Sequence, residues 1–369
     1  MTGVALLGAG IFAKIGRSIP TARPSVLMDI HTDKITEHLP AVEAAKDLNL
    51  LAVYSRSQAS AEGLAALAKQ ATKPQVYYDS PASGNSLDAL LARADIAAVI
   101  ISLPILAQPD VVRKALAAGK HVLSEKPVAP DVAAARDLVA YYDSLPAATR
   151  PIWSVAENFR YLRVVRDAAA KIKDIGGRLV GFHLVRNGFV LEDDKYYNTA
   201  WRKEPGYQGG FLLDGGVHFV AGLRFLLAAA GDEVARVASF SSLLEKRLPP
   251  VDSIHAVAST HGGVNGTISM SFGTEFKNVL EIEVVTTEGR VTWTWAPSSI
   301  VSVRRGQADP KTDTYEPDFG VVSEVAAFAA SVAAGQADPL QSPQEALKDL
   351  ALLQALLESG PTGAITNVE

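Results

Sequence analysis

The stretch that decides the fold is VALLGAGIFA, residues 4–13. Val4–Leu7 is a short apolar run of the kind that forms a parallel strand covered on both faces. It runs directly into Gly8-Ala9-Gly10-Ile11-Phe12-Ala13. Glycine at 8 permits a tight turn, glycine at 10 lets backbone approach a pyrophosphate, and the small Ala13 allows close helix–strand contact. The helix expected to open there would aim its free N–H groups at the same phosphates. Gly-x-Gly-x-x-Ala alone is a weak motif, because turns rich in small residues are common. Its place at the first strand of an alternating series gives it weight.

That series extends to about residue 155. Strand patterns at Leu50–Tyr54, Val76–Tyr78, Ile96–Ser102, His121–Ser124 and Ile152–Glu157 alternate with helical patterns at Ser60–Ala71, Ser86–Ala92, Pro109–Ala118 and Val132–Tyr142. Such alternation predicts an α/β domain over 1–155 with a doubly wound parallel sheet, the Rossmann arrangement. The pattern then changes. Helical patterns at Val164–Ile172 and Val217–Ala229 accompany six strand candidates: Leu179–Arg186, Val234–Leu244, Ser253–Thr260, Gly266–Gly273, Leu280–Thr286 and Gly289–Trp295. Consecutive strands without crossover helices imply an α+β domain with a mainly antiparallel sheet over 156–369. Its C-terminal helices are expected at Val321–Ala334 and Gln344–Leu357.

The second strand ends Tyr54-Ser55-Arg56-Ser57. An NAD-binding unit usually places Asp or Glu here for the ribose 2′-hydroxyl. With no carboxylate present, Arg56 can cap a 2′-phosphate through charge-assisted hydrogen bonds, with Ser55 and Ser57 as small donors. NADP(H) is therefore the expected cofactor, against the plainer reading of an exposed turn arginine. The spacing is unusual: Arg56 follows Ala13 by about 43 positions, whereas about 20 are typical. Ile15–Thr36 carries Pro20 and Pro24, shows no clear period, and joins helix-like sequence on either side. It reads as an insertion in the first helix, exposed and poorly packed; a functional loop beside the cofactor is the alternative.

The chain has 369 residues, 48% hydrophobic and 20% charged, which suits two ordinary globular domains. A net charge of -5 and the absence of a basic stripe argue against a nucleic-acid partner. Arg304-Arg305 reads as a solvated strand end. No cysteine is present, which excludes disulfides and thiolate chemistry. No uninterrupted apolar run has the length of a membrane span and no leader pattern is visible, so no membrane partner is expected and the cytoplasm is the expected location. His183, His255 and His261 have no ligand spacing, and no metal is expected.

Together with Gly8-x-Gly10, four further runs carry a resemblance. They are Glu125-Lys126-Pro127; Glu157-Asn158-Phe159-Arg160-Tyr161; Trp201-Arg202; and Gly209-Gly210-x-x-x-Asp214-Gly215-Gly216-Val217-His218. Over nearly the whole chain the sequence resembles the Gfo/Idh/MocA oxidoreductases, closest to a fungal NADP-dependent branch. The resemblance implies hydride transfer between nicotinamide and a small carbonyl or alcohol. It implies Lys126, Asp214 and His218 as catalytic residues and a cis Lys126–Pro127 bond. Gly8, Gly10, Ile11, Phe12, Ser55, Arg56, Ser57, Leu103, Pro104, Glu125, Lys126 and Asn158 would line the cofactor. Tyr161, Trp201 and Arg202 are candidates for the substrate wall, and a homodimer through the open face of the second sheet is expected. Two departures matter. Gln108 stands where many members carry His after the fourth strand, and Ala221 stands where many carry an acid after the catalytic His. A lysine desolvated beside nicotinamide, or a histidine one helical turn after Asp214, can give or take the proton of the reacting oxygen. The other reading is a catalytically silent NADP-sensing regulator of the same fold; retention of Lys126, Asp214 and His218 favours the enzyme.

Overall fold

The computed structural model describes residues 1–8, 34–79, 84–194 and 197–369. The expected cofactor contacts Gly10, Ile11 and Phe12, and residues 15–33 of the expected insertion, lie outside the described residues. The described chain divides into two compact units. One takes residues within 1–157 together with Val321–Leu347; the other takes those within Asn158–Gly320 and Lys348–Glu369.

In the first unit, β1 (Thr2–Leu7), β2 (Leu48–Ser55), β3 (Gln75–Tyr78), β4 (Ala98–Ile101), β5 (His121–Glu125) and β6 (Trp153–Ala156) form one sheet. Every pairing is parallel and the order is β3-β2-β1-β4-β5-β6, the doubly wound order of dinucleotide-binding folds. All four residues of β4 are buried, as expected of an apolar strand covered on both faces. Helices α1 (Lys34–Ala44), α2 (Gln58–Leu67), α3 (Leu87–Leu91), α4 (Gln108–Ala117) and α5 (Val132–Ser144) make the crossovers. Ser57, Ser86 and Asp131 cap α2, α3 and α5, each accepting a hydrogen bond from a backbone N–H of the first turn. Helix α1 starts at Lys34, so it takes in residues 34–36 at the end of the expected insertion.

The second unit contains α6 (Arg163–Ile175), β7 (Leu179–Asn187), α7 (Ala200–Lys203), α8 (Gly210–Ala229), β8 (Val234–Ser242), β9 (Ser253–Thr260), β10 (Asn265–Ser271), β11 (Val279–Thr286), β12 (Gly289–Thr294), β13 (Ser299–Arg304) and β14 (Lys311–Thr314). The chain ends with α9 (Val321–Ala334), α10 (Pro343–Ser359) and β15 (Thr366–Asn367). Nine strands run β14-β13-β12-β11-β7-β10-β9-β8-β15, antiparallel except for the β7–β10 pair. β13, β14 and β15 have no counterpart among the expected strands; their sequences are short or mixed and lack an apolar alternation. Arg304 ends β13, in keeping with the expected solvated strand end.

Helices α6 and α8 pack against this sheet and each other. α8 is long and apolar enough to cross a membrane by length and composition, but 89% of its most apolar window is buried against the rest of the protein, as in a core helix of a soluble fold. It begins seven residues earlier than its apolar run suggested. Gly209 and Gly210 enter it with φ of +72° and +51°, and a Cβ on Gly210 would lie 2.2 Å from the Pro249 carbonyl oxygen. Glycine is needed there for both conformation and space.

The C-terminal helices do not all belong to the second unit, as their position in the sequence suggested. Val321, Val325, Phe328 and Ala329 of α9 lie in one core with Leu39, Val42, Leu50 and Ala98, so α9 completes the first unit. The division falls within α10, between Leu347 and Lys348.

Candidate active site

The first unit collects its candidate residues at the C-terminal edge of the parallel sheet. Gly8 ends β1, Ser55-Arg56-Ser57 end β2, Leu103-Pro104 follow β4, and Glu125-Lys126 end β5. These strands flank the β1/β4 position where the strand order reverses, the usual cofactor crevice of an open α/β sheet. Gly8 has φ +112°, and a Cβ there would lie 2.0 Å from the Ser102 carbonyl oxygen. Glycine is thus required for the turn and for the approach of β4. Ser55 is buried, Arg56 is exposed and forms no ion pair among the described residues, and Ser57 is committed to capping α2. Beside this turn the Tyr54 hydroxyl donates to Asp79 at 2.7 Å. Burial first, then the Asp79 bond, pushes that phenol well above its ordinary range.

Lys126 is 5% exposed and its bond to Pro127 is cis. Its backbone N–H donates to Glu125 Oε2 at 3.2 Å, and Glu125 Oε1 meets His38 Nε2 at 2.8 Å. Gln108, the first residue of α4, donates from Nε2 to the carbonyls of Glu125 at 2.5 Å and Pro127 at 3.0 Å. Sequence reasoning missed His38 altogether and treated Gln108 only as a departure from pattern. A histidine four residues after the helix start has no local feature that reveals a bond 87 positions away.

In the second unit, Asp214 and His218 stand one turn apart on α8, and both are buried. Asp214 lies inside this helix, which starts at Gly210. Asp214 Oδ2 accepts from Arg202 Nε at 2.7 Å, and the Arg202 guanidinium lies 4.0 Å over the Trp201 ring. The structure therefore gathers Trp201, Arg202 and Asp214 into one cluster. Tyr207 joins it: its ring is 6.1 Å from Trp201, and its buried hydroxyl has no hydrogen-bond partner among the described residues. Burial, then the Asp214 charge, raises the Tyr207 phenol far above its usual value. His218 stacks on Phe159 at 5.0 Å, and Phe159 stacks in turn on Trp295 at 5.8 Å. Arg186, also missed from sequence, lies over the Phe219 ring at 5.6 Å, and burial lowers its pKa to about 10.

Two other candidates hold structure in the second unit. Asn158 donates to the Phe319 carbonyl at 2.7 Å. Tyr161 is buried beneath the Arg166 guanidinium, 5.3 Å from its ring. Among the described residues there is no cluster of His, Cys, Asp and Glu able to hold a metal ion.

Strand order, the glycine turn and the residues at the sheet edge define the first unit as a dinucleotide-binding Rossmann domain. Comparison with known proteins agrees. A model of the oxidoreductase family with an NAD-binding Rossmann fold matches residues 34–148, and a model of the GFO/IDH/MocA C-terminal domain matches residues 173–292. The chain is 48% identical to Dehydrogenase FPY6 of Fusarium mangiferae over 364 residues, covering 97% of this chain and 96% of that protein. It is 27% identical to D-xylose 1-dehydrogenase (NADP(+)) 2 of Haloferax volcanii, covering 90% of this chain and 95% of that protein. A crystal structure of an oxidoreductase from Thermotoga maritima superposes with a TM-score of 0.79 at 26% identity, over 100% of this chain and 98% of that one. The protein belongs to the Gfo/Idh/MocA family of oxidoreductases.

Proposed function

We propose that this oxidoreductase uses NADP(H) to interconvert a small carbonyl and the corresponding alcohol, of the sugar, polyol, dihydrodiol or aldehyde type. The observation that carries the cofactor choice is the end of β2. Its exposed Arg56, without an ion pair among the described residues, stands where a carboxylate would select NAD. A guanidinium there can bind a 2′-phosphate through a charge-assisted fork. Gly8, whose missing Cβ leaves the backbone accessible, and the turn at Leu103-Pro104 suit the rest of the dinucleotide. Bound NADP(H) would supply or receive the hydride.

On this reading, Lys126 and His218 are the proton-handling groups. Lys126 is buried at the end of β5, where a lysine amine can exchange a proton with an alkoxide-like oxygen. His218 is held by its stack on Phe159. Asp214, fixed by Arg202, orients the substrate, and Trp201, Arg202 and Tyr161 belong to its wall. The relative named for D-xylose supports a sugar-type substrate. The exposed apolar residues Val180, Phe240 and Val257 on strands β7, β8 and β9 support a homodimer.

The test has two arms. NADPH should bind more tightly than NADH in fluorescence titrations, and Arg56→Asp should narrow or invert that preference. Equal NADH affinity in the wild type removes the Arg56 assignment. With NADP(H) and a panel of aldoses, ketones and aldehydes, Lys126→Ala and His218→Ala should each lose about 100- to 10,000-fold in turnover while NADPH affinity holds. Full turnover in either variant removes that residue from the chemistry.

A further inference from the structure

Lys126 is bracketed by hydrogen bonds that hold its backbone on both sides. Gln108 Nε2 reaches the carbonyl before Lys126 and the carbonyl of Pro127 after it, at 2.5 and 3.0 Å. The Lys126 N–H is held by Glu125 Oε2, and the other oxygen of that carboxylate is held by His38. Gln108 and His38 are each 1% exposed. A buried carboxamide or imidazole is costly unless its polar atoms are satisfied. Here the satisfaction is partial: Gln108 Oε1 and His38 Nδ1 have no partner among the described residues. An apolar side chain in either place would remove that unpartnered atom but would take these bonds from the two carbonyls or from the Glu125 carboxylate. Gln108 is directed at the backbone on either side of Lys126, and His38 at the carboxylate that holds the Lys126 N–H.

We propose that Gln108 and His38 are positioning residues that fix the Lys126 turn and thereby set where its amine stands. The proposal rests on the reading of Lys126 as a proton-handling group, but its own claim concerns the placement of that amine. Proton transfer is sensitive to such placement: about 1 Å of misplacement can cost about 100-fold in rate. The His38 bond also joins α1 to the end of β5.

The test reads the lysine itself in the full-length chain, without cofactor or substrate. Protein carrying ¹³Cε-lysine is titrated by NMR, and the Lys126 resonance is assigned by its absence in Lys126→Arg. Gln108→Met, close in shape but without donors, and His38→Leu should each displace the Lys126 midpoint from its wild-type value, by about half a unit or more. His38→Gln, which keeps a donor toward Glu125, should restore it. Thermal melting of the same samples reports stability separately. Should Gln108→Met fail to fold, the His38→Leu and His38→Gln pair carries the test. An unchanged midpoint with a lowered melting temperature would reduce both residues to packing and overturn the proposal. The two readings fail differently: full turnover in Lys126→Ala removes the proton role of the lysine, whereas an unmoved midpoint removes the clamp.

Discussion

The two units carry polar side chains in different ways. In the first, the candidate functional residues stand at the ends of β1, β2, β4 and β5, where a parallel sheet delivers every strand to the same edge. In the second, charge is packed into the body of the fold. Asp349, 1% exposed, accepts from Arg160 Nη2 at 2.6 and 2.7 Å and from Arg224 Nη1 at 2.5 Å. Asp214 is likewise buried against Arg202. Topology brings the first site's residues to one edge, so they lie within a few positions of a strand end. The second relies on pairs far apart in sequence, 189 positions for Arg160 and Asp349. Substitutions should therefore act locally in the first unit and on the whole of the second.

The largest effect should come from Asp349. Replacing it with Leu removes the buried carboxylate that Arg160 and Arg224 share. Removing one partner of a buried ion pair typically costs about 3–5 kcal/mol. Urea unfolding followed by far-UV circular dichroism should show the second unit melting early while NADPH binding by the first persists below that transition. Unchanged unfolding would mean that Asp349 does not hold the second unit's core together.

Gly8→Ala is the counterpart in the first unit and should be smaller in stability but sharper in function. The φ of +112° is strained for any residue with a Cβ, at about 1–3 kcal/mol. The new methyl would also press on the Ser102 carbonyl, shifting the crevice between β1 and β4. NADPH affinity should fall by more than the unfolding free energy suggests, while the second unit's unfolding stays in place. Retained affinity would show that the Gly8 turn does not shape the cofactor crevice.

The same contrast explains what could be read from the sequence. The parallel sheet, its order class and the residues at its edge were legible, because strand and function are adjacent in the chain. The run Gly8-Ala9-Gly10, the substitution of Arg56 for an acid and the Glu125-Lys126-Pro127 turn all announce themselves locally. The Arg202–Asp214 pair, 12 positions apart, is formed by two residues that stand out in the sequence, but not as partners. Asp349, Tyr207, Trp295 and Arg186 were not legible. Nothing in their neighbourhoods distinguishes a buried aspartate from the solvated acids of any amphipathic helix, or a stacked tryptophan from a core one. The membership of α9 escaped for a related reason: an apolar helical stripe shows that a helix is buried, not which sheet buries it.

The smallest effect, and the finest test of the local character of the first unit, concerns His121. It opens β5, and its Nδ1 accepts the Ile152 N–H at 2.9 Å, tying β5 to the start of β6. An imidazole that accepts at Nδ1 must be unprotonated there, and desolvation by burial lowers its pKa below the ordinary 6.5. The sign follows from proton uptake. As pH falls below 6.5, the unfolded chain binds the proton before the folded one does, so stability decreases with falling pH. The contribution is fully present above the unfolded value and is lost as pH falls through the folded value. In His121→Asn, the side-chain carbonyl can replace Nδ1 as acceptor and does not titrate. Carboxylates and the remaining histidines titrate alike in both proteins, so the difference between their stability curves isolates His121. From about pH 7.5 to about pH 5.5, urea midpoints of the wild type should fall more steeply than those of the variant. Parallel curves would mean that His121 takes up its proton equally in both states and that its bond to Ile152 does not hold the strand pair.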